Sequence, residues 1–206
     1  MLLRIHPDNP QEKNIQQVVE CLKDGGVIIY PTDTVYGLGC DIFKQKAVEK
    51  IARIKELNIK KHNFSFICSD LSHLSDFTKP MDRSTYKLMK KALPGSFTFI
   101  LNANNTIPKL FKNNRKTVGI RIPNHHIPRS IVELLGNPIL TTSIHDDDSI
   151  VEYSTDPELI YEKYKNQVDI IVDGGYGNLT PSTIVDCSKG EIEIIRQGLG
   201  NLDGLL

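Results

Sequence analysis

Stretches of helical and strand periodicity alternate along this chain, and a chain patterned in that way has few means of burying its apolar faces other than packing helices on a sheet. Between residues 11 and 23 the apolar positions Ile15, Val18, Val19 and Leu22 recur at helical spacing, and Gly25-Gly26 supplies a stop. Residues 27–30 are a short apolar, β-branched run closed by Pro31, the pattern of a strand covered on both faces. The next segment, PTDTVYGLGC, reads as a loop of unusual composition. A second helix follows over 44–57 with Ala47, Val48, Ile51, Ile54 and Leu57 in its stripe, and then a strand over 64–68. Asp82 or Ser84 is placed to cap a helix carrying Leu88, Met89, Ala92 and Leu93, which stops at Pro94-Gly95. Strands are expected over 96–101, 117–122, 139–143, 168–172, 183–186 and 192–196, with helices over 128–135 and 157–164, the latter capped by Asp156 and opened by Pro157. Helix-separated strands together with pairs such as the last two predict an α/β (α+β) fold, a twisted mixed parallel and antiparallel sheet flanked by helices. Neither a repeat nor a linker divides it, so residues 1–206 are expected to form one domain.

At 206 residues and 39% hydrophobic content the chain can bury a core without disulfides. Cys21, Cys40, Cys68 and Cys187 are far apart, form no C-x-x-C pair and sit in or beside apolar runs, so buried free thiols are expected. The 25 basic and 25 acidic side chains balance, which argues against a dedicated duplex binder and makes any cationic site a local one. The opening MLLRIHPDNPQEKN has too short an apolar stretch for a signal peptide, and no run approaches the roughly 20 apolar residues of a bilayer span, so the expected place is the cytoplasm, with no membrane partner.

Neither G-x-x-x-x-G-K-[ST] nor G-x-G-x-x-G occurs, and zinc signatures and a G-x-S-x-G elbow are also missing. What the chain does carry is hydroxyl and cationic residues at the ends of expected strands, where ligands gather in open α/β sheets. Thr32 and Thr34 follow the first strand, Thr117 and Arg121 bracket VGIRIP, and Thr141, Thr142 and Ser143 end the next. Ser182 and Thr183 open TIVD, and Arg196 closes EIEIIR. Hydroxyls can hold phosphate oxygens and a fixed guanidinium can neutralise them. Arg121, set between Ile120 and Ile122, must point to solvent or into a cleft. The His145-Asp146-Asp147-Asp148 loop has carboxylates suited to a nucleotide's magnesium, but a solvated acidic loop is the plainer reading, and no residue is assigned to a resident metal.

The blocks GGVIIYPTDTVYGLGCD, TVGIRIPNH, PILTTS, VDIIVDGG and PSTIVD resemble the YrdC/YciO family in order and spacing, over roughly residues 10 to 200. The resemblance implies a sheet enclosing a large, concave, positively charged groove. It also implies a nucleotidyltransferase of the threonylcarbamoyl-AMP synthase type, which joins L-threonine, bicarbonate and magnesium-bound ATP and releases pyrophosphate, in tRNA modification. By motif position Thr32, with Thr34 beside it, and Arg121 would meet the threonine, while Lys55, Thr117, Ser143, His145, Ser182 and Arg196 would surround the ATP phosphates; Lys55, Arg121 and Ser143 are the candidate catalytic groups. Two signatures depart from the family pattern: K-x-R reads Lys55-Glu56-Leu57, and S-x-N reads Ser143-Ile144-His145. With the opening IHPDNP, these place the chain nearer the YciO branch. The alternative is a non-catalytic protein that holds double-stranded RNA or tRNA on the same surface, with Lys60, Lys61, Lys87, Lys90, Lys91, Lys109, Lys112, Arg115 and Lys116 as candidate contacts.

Overall fold

The computed structural model describes residues 1–59, 64–108, 116–144 and 152–205. It opens with strand β1 (Leu2–Arg4), helix α1 (Glu12–Lys23), strands β2 (Ile28–Tyr30) and β3 (Gly37–Asp41), helix α2 (Gln45–Ile54) and strand β4 (Ser65–Ile67). Helix α3 (Arg83–Ala92) precedes β5 (Phe97–Asn102) and β6 (Thr117–Arg121); then come α4 (His126–Leu135), β7 (Ile139–Ser143), the short α5 (Glu152–Thr155) and α6 (Pro157–Tyr164). The chain closes with β8 (Ile170–Asp173), β9 (Thr183–Asp186) and β10 (Glu193–Arg196). The strands form one sheet in the order β1-β8-β2-β3-β7-β4-β6-β5-β9-β10. Pairs β1-β8, β2-β8, β4-β6 and β5-β9 are parallel and the other five are antiparallel, so the sheet is mixed as expected.

The helix ends follow local chemistry. Asp82 caps α3 by accepting from the Thr85 N–H, Asp156 caps α6 by accepting from the Glu158 N–H, and Gly136 ends α4 in the left-handed region with φ 82°.

Side-chain alternation divides the sheet into two unlike faces. On one, Leu38, Cys40, Phe66, Phe99, Ile120, Leu140 and Val185 join the buried stripes of α2, α3 and α6 in the larger core cluster. On the other, Ile28, Tyr30, Ile67, Ile139, Ile170 and Val172 pack beneath Ile15, Val18, Val19 and Leu22 of α1 and Ile127, Ile131, Val132 and Leu135 of α4. Helices α1 and α4 roof only part of this second face. Past their cover the same alternation places Ser65, Thr98, Gly119, Thr141, Ser143 and Ser182, small or hydroxylated residues where the sheet is left open.

Two strands were not expected. β1 adds a parallel edge to β8. β3 lies inside the segment read as a loop, and it is a central strand, paired with β2 on one side and β7 on the other. Its sequence, GLGCD, holds two glycines, which ordinarily disfavour a strand interior. Here they are required by approach: a Cβ on Gly39 would stand 2.5 Å from the Leu140 carbonyl oxygen, and one on Gly37 3.0 Å from the Tyr30 ring. Among the described residues no helix is long and apolar enough to cross a membrane. The four cysteines are free thiols, with Cys40, Cys68 and Cys187 buried and Cys21 half-buried. Burial pushes Cys21 and Cys187 up to about 11 and Cys68 up to about 12, so none is poised as a thiolate.

Candidate functional site

The open part of the second face is a cleft of about 210 Å³. Its hydroxyls come from four different strands or strand approaches: Ser65 on β4, Thr98 on β5, Thr141 and Ser143 on β7, and Ser182 leading into β9. Arg121 at the end of β6 and Arg196 at the end of β10 supply the guanidiniums.

Arg121 is 6% exposed. The turn after β2 grips it. Its Nη2 donates to Thr32 Oγ1 at 3.0 Å, to Asp33 Oδ1 at 2.6 Å and to Thr34 Oγ1 at 2.5 Å. Thr32 in turn donates to the Val35 carbonyl and accepts from the Thr34 N–H, which makes the turn stiff. Asp33 is fixed from behind by the Asn124 N–H on Oδ2 at 3.1 Å. These described bonds all leave from one nitrogen. The buried Nε has no hydrogen-bond partner, alone in this among the buried side-chain polar atoms described. A buried donor without a partner is uncommon in a native structure and calls for an explanation such as a ligand. Nearby, burial pushes the His125 imidazole below its usual value, with the Asp33 carboxylate opposing.

Arg196 is held differently. Its Nη2 donates to the Ser182 carbonyl at 2.8 Å, and it has no carboxylate partner among the described residues. Partial burial first, and the like charge of Arg121 second, push it below the ordinary arginine value. The two guanidiniums therefore feel each other as like charges across a shared cleft. The hydroxyls are linked as well: Thr98 and Ser182 share a 2.8 Å bond, and Tyr30 donates to Thr141 Oγ1 at 2.7 Å.

The structure therefore brings together Arg121, Ser143, Ser182 and Arg196 as cleft-lining groups, with Thr32 and Thr34 behind Arg121. Lys55 and Thr117 are not among the side chains that line it. Lys55 follows the last residue of α2, and Thr117 starts β6 four residues before Arg121, on the same face but at the far end. His145 lies outside the described residues. Leu57, where the family pattern has arginine, packs against the larger core cluster. Of the lysines read as an RNA surface, Lys87, Lys90 and Lys91 are exposed on α3, a helix on the sheet face opposite the cleft, Lys116 is exposed before β6, and Lys60, Lys61, Lys109, Lys112 and Arg115 lie outside the described residues. Sequence reasoning missed Ser65, Thr98 and Asp33. The first two were visible as single hydroxyls between phenylalanines, in Phe64-Ser65-Phe66 and Phe97-Thr98-Phe99, the two-residue alternation of a strand with one polar face.

The Sua5/YciO/YrdC family model, described as telomere recombination, matches residues 20–198. The chain belongs to this family. Over 203 residues it is 42% identical to YciO of Escherichia coli K12, covering 98% of this chain and 97% of that one. The crystal structure of E. coli YciO superposes with a TM-score of 0.91 at 40% identity, covering 100% and 99% of the two chains. A family member from Coxiella burnetii named threonylcarbamoyl-AMP synthase is 31% identical over 181 residues, which is 87% of this chain and 96% of that protein. The crystal structure of P. abyssi Sua5 complexed with L-threonine shares the family fold, with a TM-score of 0.87 at 23% identity, covering 98% of this chain; it is the longer protein, this chain covering 59% of it.

Proposed function

We propose that the cleft binds ATP and forms L-threonylcarbamoyl-adenylate from L-threonine, bicarbonate and ATP, with release of pyrophosphate and water. The observation that carries this reading is the buried Arg121, presented to a hydroxyl-lined cleft with a donor unspent and with Arg196 on the same cleft. A site of this make-up suits ligands rich in anionic oxygen, because guanidinium and hydroxyl donors are strongest when the acceptor is charged. The name of the C. burnetii relative points to the product, and the L-threonine complex of P. abyssi Sua5 to the amino acid.

In the proposed reaction the carbamate made from the threonine amine and bicarbonate attacks the α-phosphorus, and the bond to pyrophosphate breaks. Negative charge gathers on the phosphoryl oxygens during that displacement, and donors already fixed in place stabilise it without having to reorganise. Arg121, locked by Thr32, Asp33 and Thr34, would be such a donor where the threonine carbamate meets the α-phosphate; Arg196 and the hydroxyls of Ser143 and Ser182 would face the departing pyrophosphate. Magnesium would enter with the nucleotide as part of the substrate.

The test is incubation with ATP, magnesium, L-threonine and labelled bicarbonate, followed by chromatography for labelled threonylcarbamoyl-adenylate and assay of pyrophosphate. Product formed by the native chain and lost in Arg196→Ala, whose side chain belongs to neither apolar core cluster, supports the proposal. Absence of product from a folded native chain that still binds ATP or RNA sinks it and favours the binding-protein alternative.

A further inference from the structure

Tyr30 is fully buried, yet its hydroxyl bonds a residue that lines the cleft. Its side chain starts on β2, crosses β3 and ends on β7, where it donates to Thr141 Oγ1 at 2.7 Å. The crossing is possible because β3 carries glycine at both positions beneath the ring. A Cβ on Gly39 would come within 2.9 Å of Tyr30 Cε1, and one on Gly37 within 3.1 Å of the phenol oxygen. A buried phenol has one hydrogen to donate, and burial raises its pKa, which keeps that hydrogen in place.

Thr141 lines the cleft at 8% exposure. A hydroxyl has one hydrogen and two lone pairs. With one lone pair taken by Tyr30, and with no described residue accepting from Thr141, the threonine hydrogen has the cleft as its outlet.

We infer that Tyr30 is a positioning residue for anion binding: across the two glycines of β3 it holds Thr141 with its hydroxyl hydrogen directed into the cleft, as a donor to a phosphate oxygen. This rests on the reading of the cleft as a phosphate site and adds to it a residue that cannot itself touch the ligand. It also gives the two strand glycines a purpose beyond packing, since either one replaced by a larger residue would block the phenol's path.

Pyrophosphate binding, followed by calorimetric titration of the native chain, Tyr30→Phe, Thr141→Val, Thr141→Ser, Tyr30→Phe/Thr141→Val and Arg196→Ala, tests the inference. Losing one hydrogen bond to a charged oxygen is expected to weaken binding roughly tenfold in Thr141→Val. Thr141→Ser, which keeps the hydroxyl, should bind as the native chain does. Tyr30→Phe should weaken binding roughly three- to tenfold in the native background and not at all in the Thr141→Val background. A purely structural Tyr30 would lower the melting temperature while leaving affinity intact, or would weaken binding equally in both backgrounds; either result overturns the inference. Failure of the underlying reading looks different: the native chain then binds no pyrophosphate, or Arg196→Ala binds as well as native, and the assignment of Tyr30 falls with it.

Discussion

Replacing Asp33 by alanine strands a cation in the protein interior, and the structure indicates what that should do. The Asp33 and Arg121 side chains are 12% and 8% exposed and meet at 2.6 Å. Breaking a buried pair from one side destabilises by roughly 3–5 kcal/mol, mostly because the remaining charge has lost its compensation. Thr32 and Thr34 still accept from Nη2 in the variant, and Arg121 borders a cleft that admits water, so the lower end applies, about 3 kcal/mol. For a chain of this length that corresponds to a fall in Tm of roughly 6–12 °C. Two comparisons sharpen the assay, which is thermal unfolding by circular dichroism. Glu162→Ala, which breaks the exposed Lys165–Glu162 pair, should leave Tm unchanged within error. Adding Arg121→Met to Asp33→Ala should restore part of the lost stability, because the stranded charge disappears. Pyrophosphate should raise the Tm of Asp33→Ala more than that of the native chain, the ligand taking the place of the missing carboxylate. A fall of less than about 3 °C for Asp33→Ala, the size of effect expected of a solvent-exposed pair, would refute the reasoning.

Gly39→Ala should destabilise by about 1–3 kcal/mol through overpacking, because the new Cβ meets a strand carbonyl at 2.5 Å that has no room to withdraw; an unchanged denaturant midpoint contradicts this. Hydrogen bonds from the Ser84 hydroxyl first, and from Thr85 next, hold the Asp82 carboxyl down to about 2, from 3.8. Its folded value is below its unfolded value, so its stabilising contribution is complete above about pH 4 and is lost as pH falls through 2. Stability measured between pH 4 and pH 2 should therefore decline less steeply in Asp82→Asn than in the native chain, and identical slopes would count against it.

Most of the elements were legible because their causes are local. Helix α1 is a stripe of four apolar residues with a double-glycine stop, α6 has its cap and its proline side by side in the sequence, and β7 came out at residues 139–143 as expected. β3 escaped because its cause is not local: GLGCD is a poor strand in isolation and becomes one because Tyr30 and the Leu140 carbonyl leave no space for side chains. The same division runs through the site. Thr32, Arg121, Ser143, Ser182 and Arg196 could be picked out because each stands at the end of an apolar run, where strand periodicity and residue type coincide. Which of them meet is a matter of how far α1 and α4 extend over the second face of the sheet, and no spacing within a strand records that. Thr117 satisfied the strand-end criterion equally well, and Lys55 entered through the family resemblance, yet neither is among the side chains that line the cleft. The Asp33–Arg121 pair spans 88 residues and the Tyr30–Thr141 bond 111. Periodicity reports on which face a residue occupies, whereas contacts at such separations depend on strand order and register, which the folded sheet establishes.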